Sequence, residues 1–375
     1  MDLPVIRRSA AILLAPIRRR HAVSFLILAF ACSTAQAEGE SLSWNPDAAA
    51  KYLDQRQNEW FKHAKCVSCH TGLPYALARP ALRKLSGSKT PSQPEAKLLN
   101  QIRLRVANWK NLDTKEFGLY YDASDLLKKQ SWGTEAVFNA VILSFEDRYQ
   151  GNCSPSEATK QAFLNLWQTQ VQTGDDKGSW DWLDFSEAPW GNVEARYFGA
   201  ALAAIAVGTA PGYYASGADP DTDSKVKLLQ GYLKDRFPKQ NLHNRAWGLW
   251  ASTKIEGDLT KTERKKLVEQ LLDKQQDDGG WSLPSLGTWV RNDRTPQETA
   301  SDGYATALVL HVLQTAGVPK DDVRIVKGLV WLKRNQSATG AWRSVSLVKK
   351  RNPASHTGKF MSDAATAFAV LALTH

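Results

Sequence analysis

The segment Lys327-Gly328-Leu329-Val330-Trp331-Leu332-Lys333-Arg334-Asn335-Gln336-Ser337-Ala338-Thr339-Gly340-Ala341-Trp342 decides the fold. Its tail reads Q-x-x-x-G-x-W, and Gln275 to Trp281 carries the same tail 61 residues earlier. From each Trp it is 21 residues to the Asp of a Ser-Asp pair, Ser301-Asp302 and Ser362-Asp363. Each pair opens a run of small and apolar residues, Gly303 to Leu313 and Ala364 to Leu373. The Ala-Thr-Ala triads centred on Thr306 and Thr366 are 60 apart, so one residue has slipped between the copies.

Working outward, fainter copies precede these two. Gly178-Ser179-Trp180 leads to an apolar run from Phe198 to Val207, and Trp132-Gly133-Thr134-Glu135 leads to Ala136 through Phe145. Apolar helices are thus expected to begin near residues 70, 135, 194, 244, 302 and 363. Amphipathic stretches lie between them, at 97–109, 156–171, 224–237, 263–275 and 323–335. A helix that is apolar all round must be packed all round, and one with a charged face must border solvent. The expectation is an all-α chain, an (α/α)6 toroid or barrel of helical hairpins with QW-type repeats. In this reading the Q-x-x-x-G-x-W tail is a clasp. Gln at an outer helix end reaches the start of the next hairpin, Gly permits the tight turn, and Trp covers it with a large apolar plane and one N–H.

Lys327-Gly328, Trp331-Leu332, Gln336, Gly340 and Trp342 resemble the extended QW motif of the terpenoid cyclases, the squalene–hopene and oxidosqualene cyclases. Lys266, Leu271, Gln275, Gly279 and Trp281 resemble it with fewer positions kept. The resemblance is strong over residues 262–375 and implies the α/α toroid shared with the protein prenyltransferases. It carries architecture and not the reaction, since the D-x-D-D acid motif of those cyclases does not occur in this sequence.

The N-terminus reads as an export signal over residues 1–37. Arg18, Arg19 and Arg20 precede the apolar run Ala22 to Ala31, and Ala35-Gln36-Ala37 offers small residues for cleavage. The expected mature domain is then 38–375, periplasmic or secreted. The formal charge of +10 becomes +6 on removing five Arg and one Asp with that segment. The remaining basicity is spread out, a solvated surface rather than a nucleic-acid footprint, and no later stretch reaches the ~20 apolar residues of a membrane span.

Chemistry concentrates at Cys66-Val67-Ser68-Cys69-His70, a C-x-x-C-H motif. In c-type cytochromes two such thiols bond the haem vinyl groups and the adjacent His ligates the iron. Haem c is therefore the leading cofactor expectation. Zn²⁺ held by Cys66, Cys69 and His70 is an alternative, and so is a Cys66–Cys69 disulfide. His356 and Met361, just before the last apolar helix, are candidate sixth ligands beside His70 as the axial metal ligand.

His70 occupies the inner-helix start that other repeats give to Glu135, Glu194, Asp302 and Asp363. These four are candidate catalytic acids, with Ser301-Asp302 and Ser362-Asp363 also reading as helix caps. Tyr120, Tyr121, Trp132, Trp182, Trp190, Trp289 and Tyr304 are aromatics expected near the same mouth. Three function classes follow. The first is a haem-bearing toroid in redox or electron-transfer work with a periplasmic redox partner. The second is a cyclase-like or Zn-dependent enzyme on a hydrophobic substrate, and the third a non-catalytic toroid that binds a lipid or partner chain.

Overall fold

The computed structural model describes residues 43–64, 66–110, 124–214, 219–257 and 259–375. The export-signal reading of residues 1–37, and Tyr120 and Tyr121, lie outside the described residues. The described part is all-α, with twelve α-helices and no strand among these residues. They are α1 (Pro46–His63), α2 (Gly72–Ser86), α3 (Gln93–Ala107), α4 (Asp125–Tyr149), α5 (Glu157–Thr169) and α6 (Ala195–Thr209). Then follow α7 (Pro220–Arg236), α8 (Leu242–Ser252), α9 (Lys261–Leu272), α10 (Gly303–Thr315), α11 (Val323–Arg334) and α12 (Phe360–Leu373). None is long and apolar enough to cross a membrane.

Local chemistry sets the boundaries. Thr260 and Glu263 form a reciprocal capping box at the start of α9, with Glu263 N donating to Thr260 Oγ1 and Thr260 N to Glu263 Oε2. Asp302 caps α10 by accepting from the Tyr304 and Ala305 amides. Asp363 is not a cap, contrary to the sequence expectation. Helix α12 starts at Phe360, so Asp363 lies in its first turn and points sideways to Tyr52, Arg56 and Thr71. The apolar helix expected near 135 starts at Asp125, capped by Ser124, which puts Glu135 inside a 25-residue helix.

The even-numbered helices are the apolar ones. Every residue of α10 from Gly303 to Gln314 is buried, as is nearly all of α6 and α12. They pack in sequence: α2 on α4, α4 on α6, α6 on α8, α8 on α10, α10 on α12, and α12 back on α2. Small residues make these approaches possible. A Cβ on Gly199 of α6 would sit 2.3 Å from the Trp182 indole, so only glycine lets that ring lie against the helix. Contacts gather Leu42 to His375 into one unit.

The clasps repeat with the same bonds. Gln275 Nε2 donates to Gly279 O and to Arg324 O at the start of α11. Gln336 Nε2 donates to Gly340 O and to Asn45 O, the cap of α1. The last amphipathic helix is thereby tied to the first. Trp281 Nε1 and Trp342 Nε1 donate to Leu271 O and Leu332 O at 2.7 Å each, while Thr306 and Thr366 of the Ala-Thr-Ala triads accept the two Trp backbone amides. Gly340 needs its φ of +87°, and a Cβ there would meet the Ala48 backbone at 2.2 Å.

The fainter copy at Gly178-Ser179-Trp180 is a third clasp, whose glutamine the spacing did not reveal. Gln170 donates to Gly178 O and Lys225 O, and Trp180 Nε1 to Leu166 O. Four extra residues between Gln170 and Gly178 hide its spacing.

Candidate functional site

The C-x-x-C-H segment lies between the end of α1 and the start of α2. Ser68, one of its two variable residues, shapes it: its Oγ accepts from the Thr71 and Gly72 amides and so opens α2. Trp60 Nε1 holds the other end by donating to Cys66 O at 2.7 Å. Cys66 and Cys69 are free thiols, each partly buried. Burial pushes the Cys66 thiol up to about 11 and the Cys69 thiol up to about 12.

His70 is held by a relay. Thr71 Oγ1 donates to Asp363 Oδ2 at 2.8 Å, so its oxygen accepts from His70 Nδ1–H, also at 2.8 Å. That fixes the tautomer and leaves Nε2 as the basic nitrogen. Asp363 is anchored by Arg56 through Nε at 2.7 Å and Nη2 at 3.0 Å, and by the Tyr52 hydroxyl at 2.9 Å. Burial, with the charges of Arg56, His356 and Arg351, holds the His70 imidazole down at about 3, so it is neutral across the physiological range. Phe360 stacks on its face with centroids 3.6 Å apart, and Trp60 meets it edge-on at 5.0 Å.

Cys66, Cys69 and His70 all line one cavity of about 340 Å³. Its walls are largely apolar and include six aromatic side chains, Trp60, Phe138, Trp182, Phe185, Trp190 and Phe360. Met361 lines it too, and His356 does not. Two charged groups border it, Glu187 and Arg351, paired at 2.8 Å. The loop between α5 and α6 supplies Trp182 through Gly191, with Trp182 Nε1 bonded to Trp190 O and Trp190 Nε1 to the buried Tyr304 hydroxyl.

No known protein family matches the chain, and no curated protein matches it.

None of the four candidate acids lines the cavity. Asp302 is buried, with its oxygens bonded by the Leu283, Tyr304 and Ala305 amides and the Ser344 hydroxyl. Asp363 is the anchor described above. Glu135 pairs with Arg105 through two bonds of 2.7 and 2.8 Å. Glu194, at the start of α6, accepts from Asn241 Nδ2. Asp302, Asp363 and Glu135 thus spend their oxygens on neighbouring donors, while Glu194 accepts one exposed bond.

Thr71, Arg56, Glu187 and Arg351 escaped sequence reasoning. Thr71 carried a usable signal, since a hydroxyl next to a ligating His is an obvious orienting group. Arg56 and Arg351 carried none, because their partners lie 307 and 164 residues away.

Among the described residues, one group of three His, Cys, Asp or Glu side chains brings its ligand atoms within 4.8 Å of one another. It is Glu59, His63 and His356. Cys66, Cys69 and His70 do not gather that closely.

Proposed function

We propose that this chain is an (α/α)6 toroid that would carry haem c, with Cys66 and Cys69 as the residues that would tether it, His70 and Met361 as those that would hold its iron, and a redox or electron-transfer role. The observation that carries the reading is the meeting of these four side chains on one apolar cavity. The toroid finds support in the packing cycle of the apolar helices and in the clasp from Gln336 to Asn45.

The donor set suits the group. A metal-ligating imidazole must be neutral, with its second nitrogen held by a hydrogen bond, and His70 meets both conditions. Met361 adds a thioether, a ligand that raises a haem's potential. Haem would supply one-electron chemistry there. The chain's own residues would tether it, fix the imidazole and exclude water with an aromatic wall. Covalent attachment outside the cytoplasm agrees with the export reading of residues 1–37.

The alternatives at this motif have less support. A tetrahedral Zn²⁺ needs its ligand atoms closer together than Cys66, Cys69 and His70 are held. A redox dithiol needs a lowered thiol pKa, and both thiols here are raised.

The test is a pyridine haemochrome assay on denatured chain made alongside periplasmic haem-attachment machinery. One covalent haem per chain is expected in the parent and none in the Cys66→Ser/Cys69→Ser double variant. A colourless parent, with attachment verified on a control cytochrome, would sink the proposal.

A further inference from the structure

Glu59 and His63 sit one helical turn apart near the end of α1, and His356 lies in the turn before α12. His63 Nε2 is 3.4 Å from Glu59 Oε1. The His63 and His356 rings face each other with centroids 4.1 Å apart. One ligand atom from each of the three residues falls within 4.8 Å of the others. His356 Nε2 is buried and meets no hydrogen-bond partner among the described residues.

We propose that Glu59, His63 and His356 form a separate binding site for a divalent transition-metal ion. Two imidazoles and one carboxylate suit Zn²⁺, Cu²⁺ or Ni²⁺ rather than Ca²⁺ or Mg²⁺, which prefer all-oxygen shells. Tetrahedral bonds of about 2.0–2.1 Å set neighbouring ligand atoms roughly 3.3–3.4 Å apart. His63 and Glu59 already hold that spacing, and the unpartnered His356 Nε2 would supply the third ligand, since Nδ1 faces Arg56 Nη1. The fourth position would belong to water.

Two cations set an upper limit on affinity. Arg56 Nη1 lies 3.4 Å from His356 Nδ1, which must carry the proton once Nε2 is ligated. Lys62 Nζ bonds Glu59 Oε2 at 3.2 Å. The site is therefore weaker than a thiolate zinc site.

Its placement gives it a role. The ion would fasten α1 to the segment entering α12. Trp60 separates it from the cavity, parallel to His356 at 6.2 Å and edge-on to His70 at 5.0 Å. The site needs no haem and stands apart from the preceding proposal.

The test uses the tag-free full chain, made without haem-attachment machinery, titrated with Zn²⁺ by calorimetry and followed by thermal melting. One equivalent is expected to bind and to raise the melting temperature. His63→Ala and Glu59→Gln should each weaken binding at least tenfold. Both side chains are more than a third exposed, so the fold should survive, as circular dichroism would verify. Cys66→Ser/Cys69→Ser should leave binding unchanged. Absence of Zn²⁺ binding, equal affinity in the His63 and Glu59 variants, or loss of binding in the thiol variant would each overturn the assignment.

Discussion

Replacing Asp363 by Asn tests the junction between fold and site. The side chain is fully buried and accepts four bonds, from the Tyr52 hydroxyl, Arg56 Nε and Nη2, and the Thr71 hydroxyl. Asn keeps the shape but removes the charge, and its amide nitrogen turns a donor toward donors. Arg56, with a side chain only 7% exposed, would keep its bond to His356 O and lose its counter-charge. Removing one partner of a buried pair costs about 3–5 kcal/mol. The Leu42–His375 unit holds roughly 330 residues, and an unfolding entropy near 2.1 cal/mol/K per residue gives about 0.7 kcal/mol/K. The melting temperature should therefore drop by about 4–7 °C, measured by circular dichroism at pH 7. If the stranded charge is the cause, adding Arg56→Met should recover part of the loss. An Asp363→Asn protein melting within a degree of the parent, or a double variant losing the full sum, would refute the electrostatic account.

Other outcomes follow from single contacts. Gly340→Ala and Gly317→Ala share a φ near +87°, but only Gly340 faces backbone. Urea unfolding should show the Gly340 variant weaker by a further 1–3 kcal/mol from overpacking. Burial holds His70, His243 and His311 down at about 3, 4 and 3, below the ordinary 6.5, so they stay neutral in the fold while the unfolded chain takes up protons below pH 6.5. Stability should thus decline from pH 6.5 toward 4, by up to about 1.4 kcal/mol per pH unit for each, and these groups should contribute no pH dependence above 6.5. His311, whose ring nitrogens meet no partner among the described residues, should be replaceable by Leu, and that variant's melting advantage should widen as pH falls through the window. In haem-loaded protein, Met361→Leu should lower the midpoint potential by on the order of 0.1 V and change the axial-ligand signature in paramagnetic resonance, with covalent haem retained.

What was legible in the sequence was local. The clasps at Gln275 and Gln336 could be read because each spans seven residues and its bonds join groups of one turn. The apolar helices could be read because being packed on all sides forces an unbroken run of small residues. Helix α1 could not, because its buried face contains Arg56 and Gln57, which break the apolar period, Arg56 to reach Asp363 some 307 residues away and Gln57 with no hydrogen-bond partner for its amide among the described residues. The early start of α4 was hidden by Lys128, Lys129 and Gln130 in its first turns. At the site, the thiols and His70 were legible as a motif. Which of His356 and Met361 borders the cavity was not, since they lie five positions apart and only the path of the turn before α12 puts Met361 on the cavity and His356 against Trp60.

The site occupies the place where α1 and α2 meet α12. Gln336 reaches Asn45, Asp363 reaches Arg56 and Thr71, and His356 faces His63, each across roughly 300 residues of sequence. Contacts of such separation close the longest loops and form only after that entropy is met, so this junction gains most from any group that bridges it. Cys66, Cys69 and His70 come from one side of it and Met361 from the other, as do Glu59 and His63 against His356. A ligand bound at either place stabilises the folded state alone, by an amount that grows with occupancy. If haem binds as proposed, its capture and the docking of α12 on α1 would be coupled. On that proposal, protein without haem should open first between α12 and α1, where hydrogen exchange would detect faster amide exchange in the first turns of both helices than in the haem-loaded form.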